Sequence, residues 1–175
     1  VKTATFTVID TTDPTLGCDP DDLTFECDGV SGNQATADQW NADNIANLIG
    51  CALDNCQTTP LTVTSDYDFG GLSGACGATG TMTVTYTIAD DCGNEITRTA
   101  DLTITDDTDP VVTCDPVNET HECNGVAGNQ GAADAWNAGN LTDLRNCATD
   151  LCGGIVVTSD YDFANFSDDC ALTGS

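Results

Sequence analysis

The 175-residue sequence predicts an all-β fold of tandem β-sandwich repeats, each carrying a short inserted helix and disulfides. Three observations predict it: an internal repeat, strands in which threonine alternates with apolar residues, and six cysteines per repeat. Cys18, Cys27, Trp40, Cys51 and Cys56 recur as Cys114, Cys123, Trp136, Cys147 and Cys152, each shifted by 96 positions. Further on, Val63 to Phe69 returns as Val157 to Phe163 and Cys76 returns as Cys170, now shifted by 94. A two-residue deletion therefore lies between Cys152 and Val157. Ala4 to Asp10 matches Ala100 to Asp106. On this alignment residues 1–10 are the closing strand of a preceding repeat, 11–106 a complete repeat, and 107–175 a second repeat truncated before its last two strands.

Within the complete repeat the clearest strand is Thr81 to Ile88, where threonine alternates with Met82, Val84, Tyr86 and Ile88. That period of two marks a strand with one buried face. Asp90 to Asn94 has turn composition, and Thr97 to Thr105 alternates again through Leu102 and Ile104, so the two strands form a hairpin. Shorter strands fall at Leu23 to Phe25, Leu61 to Val63 and Val111 to Val112. Leu23 and Phe25 align with Glu119 and His121, so this strand lies at a sheet edge, and His121, the sole histidine, is a solvated substitution. Many short antiparallel strands without alternating helices argue for an immunoglobulin-like sandwich.

One segment breaks the pattern. From Gln34 to Gly50, Trp40, Asn44, Ile45, Leu48 and Ile49 fall on one face at helical spacing, with Asn33 as the expected N-cap. The second copy repeats this with Ala133, Trp136, Asn140, Leu141 and Leu144. A short helix laid over the sandwich accounts for it. Its tryptophan packs; stacking on a ligand is the functional alternative.

The cysteines are those at 18, 27, 51, 56, 76 and 92 in the complete repeat, and Cys114, Cys123, Cys147, Cys152 and Cys170 in the second. The sixth of the second repeat would fall past Ser175, which accounts for the odd total. Six cysteines allow 15 connectivities; Cys76 with Cys92, across one strand and its turn, is one expected pair. A single histidine and the lack of paired Cys-x-x-Cys clusters argue against zinc. Disulfides imply an oxidising compartment.

With 29 acidic and 3 basic residues the net charge is −26, and the isolated Lys2, Arg98 and Arg145 form no basic patch for nucleic acid. No apolar run is long enough to span a bilayer. Catalysis is not expected, because the complete repeat has no histidine, and Asp-x-Asp pairs arise readily in so acidic a chain. Aspartate is, however, a hard oxygen ligand, and joints between domains gather such ligands from both neighbours. The joint through Asp10 and Asp13 returns as Asp106, Asp107 and Asp109, each ending in proline, while Asp66, Asp68, Asp90 and Asp91 lie in turns. These nine aspartates are the candidate calcium ligands, and calcium is the one candidate cofactor.

The run Asp10-Thr-Thr-Asp-Pro14, then Phe25-Glu-Cys-Asp-Gly29, then Gly77-Ala-Thr-Gly-Thr81 leading a threonine-alternating strand, and Ala89-Asp-Asp-Cys-Gly-Asn94 resembles the hyalin-repeat-like, immunoglobulin-like modules. Those modules occur in tandem in very large secreted surface proteins of Bacteroidetes. The resemblance implies export by the type IX system, attachment to the cell surface, and use in an adhesin or filament for gliding, aggregation or prey capture. The partners it implies are neighbouring repeats of the same long chain and, in a filament, further copies of it. A module binding glycans or a host surface through its loops is the competing expectation.

Overall fold

A computed structural model of the chain describes residues 1–57, 59–74 and 78–165. Among the described residues the fold is rich in strands, with one mixed sheet and two α-helices, and it divides into two compact units, Val1–Asp107 and Thr108–Ser175.

In the first unit, strands β1 (Thr15–Leu16), β2 (Leu23–Glu26), β3 (Ala52–Leu53), β4 (Thr62–Ser65), β5 (Gly80–Ala89) and β6 (Glu95–Thr105) accompany one helix, α1 (Gly29–Cys51). β1 pairs with β3, and the other four form one sheet in the order β2-β6-β5-β4. β5 and β6 are the expected hairpin, with Met82 opposite Leu102, Val84 opposite Ala100 and Ile88 opposite Ile96. β2 runs parallel to β6 and, among the described residues, pairs with nothing else, the edge position that tolerates Glu119 and His121 in the other copy.

The core lies between one face of this sheet and α1. Val63, Val84, Tyr86, Ile88, Ala100 and Leu102 meet Ala37, Trp40 and Leu48 of the helix. The opposite face, with Thr81, Thr83, Thr97 and Thr99, is exposed. The sequence pattern predicts a second sheet across the core; the helix occupies that face instead. Alternation by itself shows that a strand has one buried side, not what buries it.

α1 is also longer than predicted, at 23 residues, beginning at Gly29 rather than near Gln34. Gly29 and its counterpart Gly125 have φ of 73° and 74°, the left-handed region that glycine enters without strain. Asn33, predicted as the N-cap, sits inside the helix and is fully buried. Its Oδ1 accepts from the amide of Asp28 at 2.8 Å and its Nδ2 donates to the carbonyl of Ala78 at 2.9 Å. A side chain that binds the helix start to the sheet offsets the poor helix propensity of Gly29 and Gly32.

Residues 1–10 alternate like β6 yet join no ladder, and Phe6 and Val8 are 90% and 77% exposed. Their counterparts Leu102 and Ile104 are buried. A strand hides its apolar side only once it is paired and packed.

In the second unit, β7 (Val111–Val112) pairs with β8 (Ala148–Thr149), and α2 spans Gly125–Cys147. Among the described residues it has no counterpart of the four-stranded sheet, and Trp136 is half-buried where Trp40 is buried.

The disulfide framework matches in part. Cys18–Cys51 and Cys114–Cys147 are bonded, each closing a sequence separation of 33 residues around its helix. Cys27 and Cys152 are also disulfide-bonded, whereas Cys56, Cys92 and Cys123 carry free thiols. The expected Cys76–Cys92 pair is therefore not made; Cys76, like Cys170, lies outside the described residues. The ten residues of β5 intervene between those two cysteines in the chain, and a strand of that length spans about 33 Å.

Candidate metal centre and the helix anchors

The helix is held by polar anchors that occur in both copies. Trp40 Nε1 donates to the Asp21 carbonyl at 2.7 Å, and Trp136 Nε1 to that of Val117 at 2.6 Å. Asn44 Oδ1 accepts from the amide of Asp21, and Asn140 Oδ1 from that of Val117, both at 2.8 Å. Because the backbone is bound in each case, Asp21 can become Val117 without loss. Asn44 Nδ2 additionally donates to the Asp21 carbonyl at 3.0 Å and to the Tyr86 hydroxyl at 3.3 Å. Trp40 is only 7% exposed and meets Tyr67 and Tyr86 edge to face, with ring centroids 6.5 Å apart in each pair. Buried so, it packs; it presents no face for a ligand to stack upon.

Tyr67 donates its hydroxyl to Asp38 and Tyr161 to Asp134, each at 2.7 Å. Burial, reinforced by that hydrogen bond to a carboxylate, pushes both phenols up, Tyr161 to about 12 and Tyr67 further. Tyr86 is raised by burial as well.

Of the nine predicted ligands, the fold brings Asp10 and Asp90 together and adds Asp54, with carboxylate oxygens of all three within 4.8 Å of one another. Each residue builds the same local turn. Asp54 Oδ1 accepts from the Cys56 amide and Asp90 Oδ1 from the Cys92 amide, both at 2.8 Å, and Asp10 Oδ1 from the Thr12 amide at 3.0 Å. Asp90 also receives two hydrogen bonds from Asn94, whose side chain is the main reason its carboxyl is held below the ordinary range. It is thus ionised at neutral pH. Asp54 Oδ2 is shut off from solvent and accepts no hydrogen bond from the described residues. An orphaned carboxylate oxygen beside two other carboxylates suits a hard divalent cation, which would complete its usual 6–8 oxygens from carbonyl groups and water.

The other predicted ligands serve as backbone acceptors or lie apart. Asp66 accepts from the Thr85 amide at 2.7 Å, Asp68 from Gly70 at 3.0 Å, and Asp91 from the Thr59 hydroxyl at 2.6 Å. The Asp107 amide donates to Glu26, while Asp13 and Asp109 are exposed and Asp106 half-buried. Asp54 was legible in one respect: Asp-x-Cys occurs in the sequence at Asp54, Asp90, Asp150 and Asp168, and the Cys152 amide meets Asp150 at 2.8 Å. His121 pairs with Glu119 at 2.9 Å on the surface.

No family model, curated protein or solved structure matches the chain. Disulfides are consistent with an extracellular protein, and no helix among the described residues is long and apolar enough to cross a membrane.

Proposed function

We propose that this chain is a segment of structural repeats from a large extracellular adhesin or filament attached to the cell surface, a spacer without catalytic activity. The observation that carries the reading is the placing of chain entry and exit at opposite poles of the first unit. Asp10, on the entering segment, lies against the β5–β6 turn through Asp90, whereas the chain leaves after Thr105, at the far end of β6. The eleven residues of β6 put these poles about 35 Å apart. Repeats joined this way add length, and the helix-enclosing disulfide adds stiffness to each.

The neighbour order β4-β5-β6 has the connectivity of the C-F-G sheet of immunoglobulin-like sandwiches, with α1 where their second sheet packs. That order supports reading the repeats as helix-bearing variants of hyalin-repeat-like modules, and with them the type IX export and surface attachment that the sequence resemblance implies. A calcium ion held by Asp10, Asp54 and Asp90 would pin the entering segment to the pole and offset repulsion within a chain of charge −26.

Two experiments test this. Small-angle scattering from proteins with two, three and four tandem copies should give a maximum dimension that grows by a constant increment of about 35–40 Å per repeat; a compact particle would overturn the spacer reading. Added Ca²⁺ should raise the melting temperature, reversibly with chelator, and add about 1–3 kcal/mol of stability at concentrations 10- to 100-fold above a millimolar-range Kd. An unchanged transition removes calcium and leaves the spacer reading standing.

A further inference from the structure

The free thiols of Cys56 and Cys92 stand on two turns that face each other. The Cys56 amide is bound by Asp54 and the Cys92 amide by Asp90, and these two carboxylates approach within 4.8 Å. A second tie joins the same loops, from the Thr59 hydroxyl to Asp91 at 2.6 Å. Both cysteines are exposed. The Asp10 carboxylate lies close enough to act electrostatically on both cysteines. Two cysteines on facing turns of one pole, in a repeat whose Cys18, Cys51 and Cys27 are already bonded, have each other as the partner within reach.

We propose that Cys56 and Cys92 form a third disulfide of the complete repeat, which locks the Asp54 loop to the β5–β6 turn. The chemistry needs an external disulfide such as oxidised glutathione as oxidant. One thiol loses its proton, and the thiolate attacks a sulfur of that disulfide, giving a mixed disulfide and expelling one glutathione thiolate. The second cysteine, deprotonated in turn, displaces the other glutathione. Two protein thiols are oxidised and one disulfide is reduced to two thiols.

The bridge does not depend on calcium, and its test is separate. The folded chain is equilibrated in a reduced and oxidised glutathione buffer, alkylated in acid, and digested with pepsin, because three basic residues leave trypsin few cuts. Mass spectrometry is expected to find the Cys56 and Cys92 peptides cross-linked to each other. Cys56→Ser should leave Cys92 alkylated and Cys18–Cys51 intact. Recovery of both cysteines alkylated from oxidised wild-type protein, or of either one joined to a different cysteine, overturns the proposal.

Discussion

Removing the Cys18–Cys51 bridge by Cys18→Ser with Cys51→Ser is the perturbation whose size follows most directly from the structure. The bond closes a separation of 33 residues that contains the whole of α1. In the chain-entropy description such a loop restricts the unfolded state by about 12–13 cal/mol/K, or about 4 kcal/mol near room temperature. For a domain of this size that corresponds to a fall in melting temperature of about 15–30 °C. Total stability in this class is about 5–15 kcal/mol, so the variant keeps its fold with little in reserve. The native contacts of the helix through Asn33, Trp40 and Asn44 do not involve the sulfur of Cys18 or Cys51, and they hold α1 in place once folded. The assay is urea and thermal denaturation followed by far-UV circular dichroism. Cys114→Ser with Cys147→Ser, which opens a loop of equal length in the second unit, serves as a matched comparison. A melting temperature lowered by less than about 5 °C would refute the reasoning, because the unfolded chain would then already be restricted by something other than this bond.

Asn44→Leu strands the amide of Asp21 and the Tyr86 hydroxyl, while Trp40 still holds the Asp21 carbonyl, and should cost about 2–4 kcal/mol in denaturant titration. Asn140→Leu, on the half-buried helix face of the second unit, should cost under about 1 kcal/mol, since water reaches the groups it frees. All three tyrosines are raised from a value of 10.0, so a phenolate absorbance titration should show none ionising there. The raised folded value means that these phenols support the fold fully below pH 10 and lose that support as pH climbs through about 12 for Tyr161 and beyond for Tyr67. Asp54→Asn should abolish any calcium-dependent rise in melting temperature, while leaving the calcium-free transition within about 1 kcal/mol of wild type because the turn's Oδ1 acceptor is retained; a retained calcium response would place the ion elsewhere.

Periodicity alone determined the repeat, the β5–β6 hairpin, the edge strand β2 and the presence of a helix bearing Trp40. These are local or copied features. Threonine alternating with Met82, Val84, Tyr86 and Ile88 can bury only one face, and a shift of 96 residues is visible without any geometry. The start of α1 escaped sequence reading because glycine and serine oppose a helix at Gly29 to Gly32, and what overrides them is Asn33 reaching across to Ala78, 45 residues away. The second sheet was expected for a related reason: a buried strand face carries no label for the element that covers it. Asp10 and Asp90 were legible as acidic turn residues, yet their meeting with Asp54 depends on three loops converging at one pole. The cysteines show the division most plainly. Their number and oxidising setting follow from composition, while their pairing is decided by the fold, because sulfur bonds to the sulfur it can reach and a ten-residue strand holds its two ends apart.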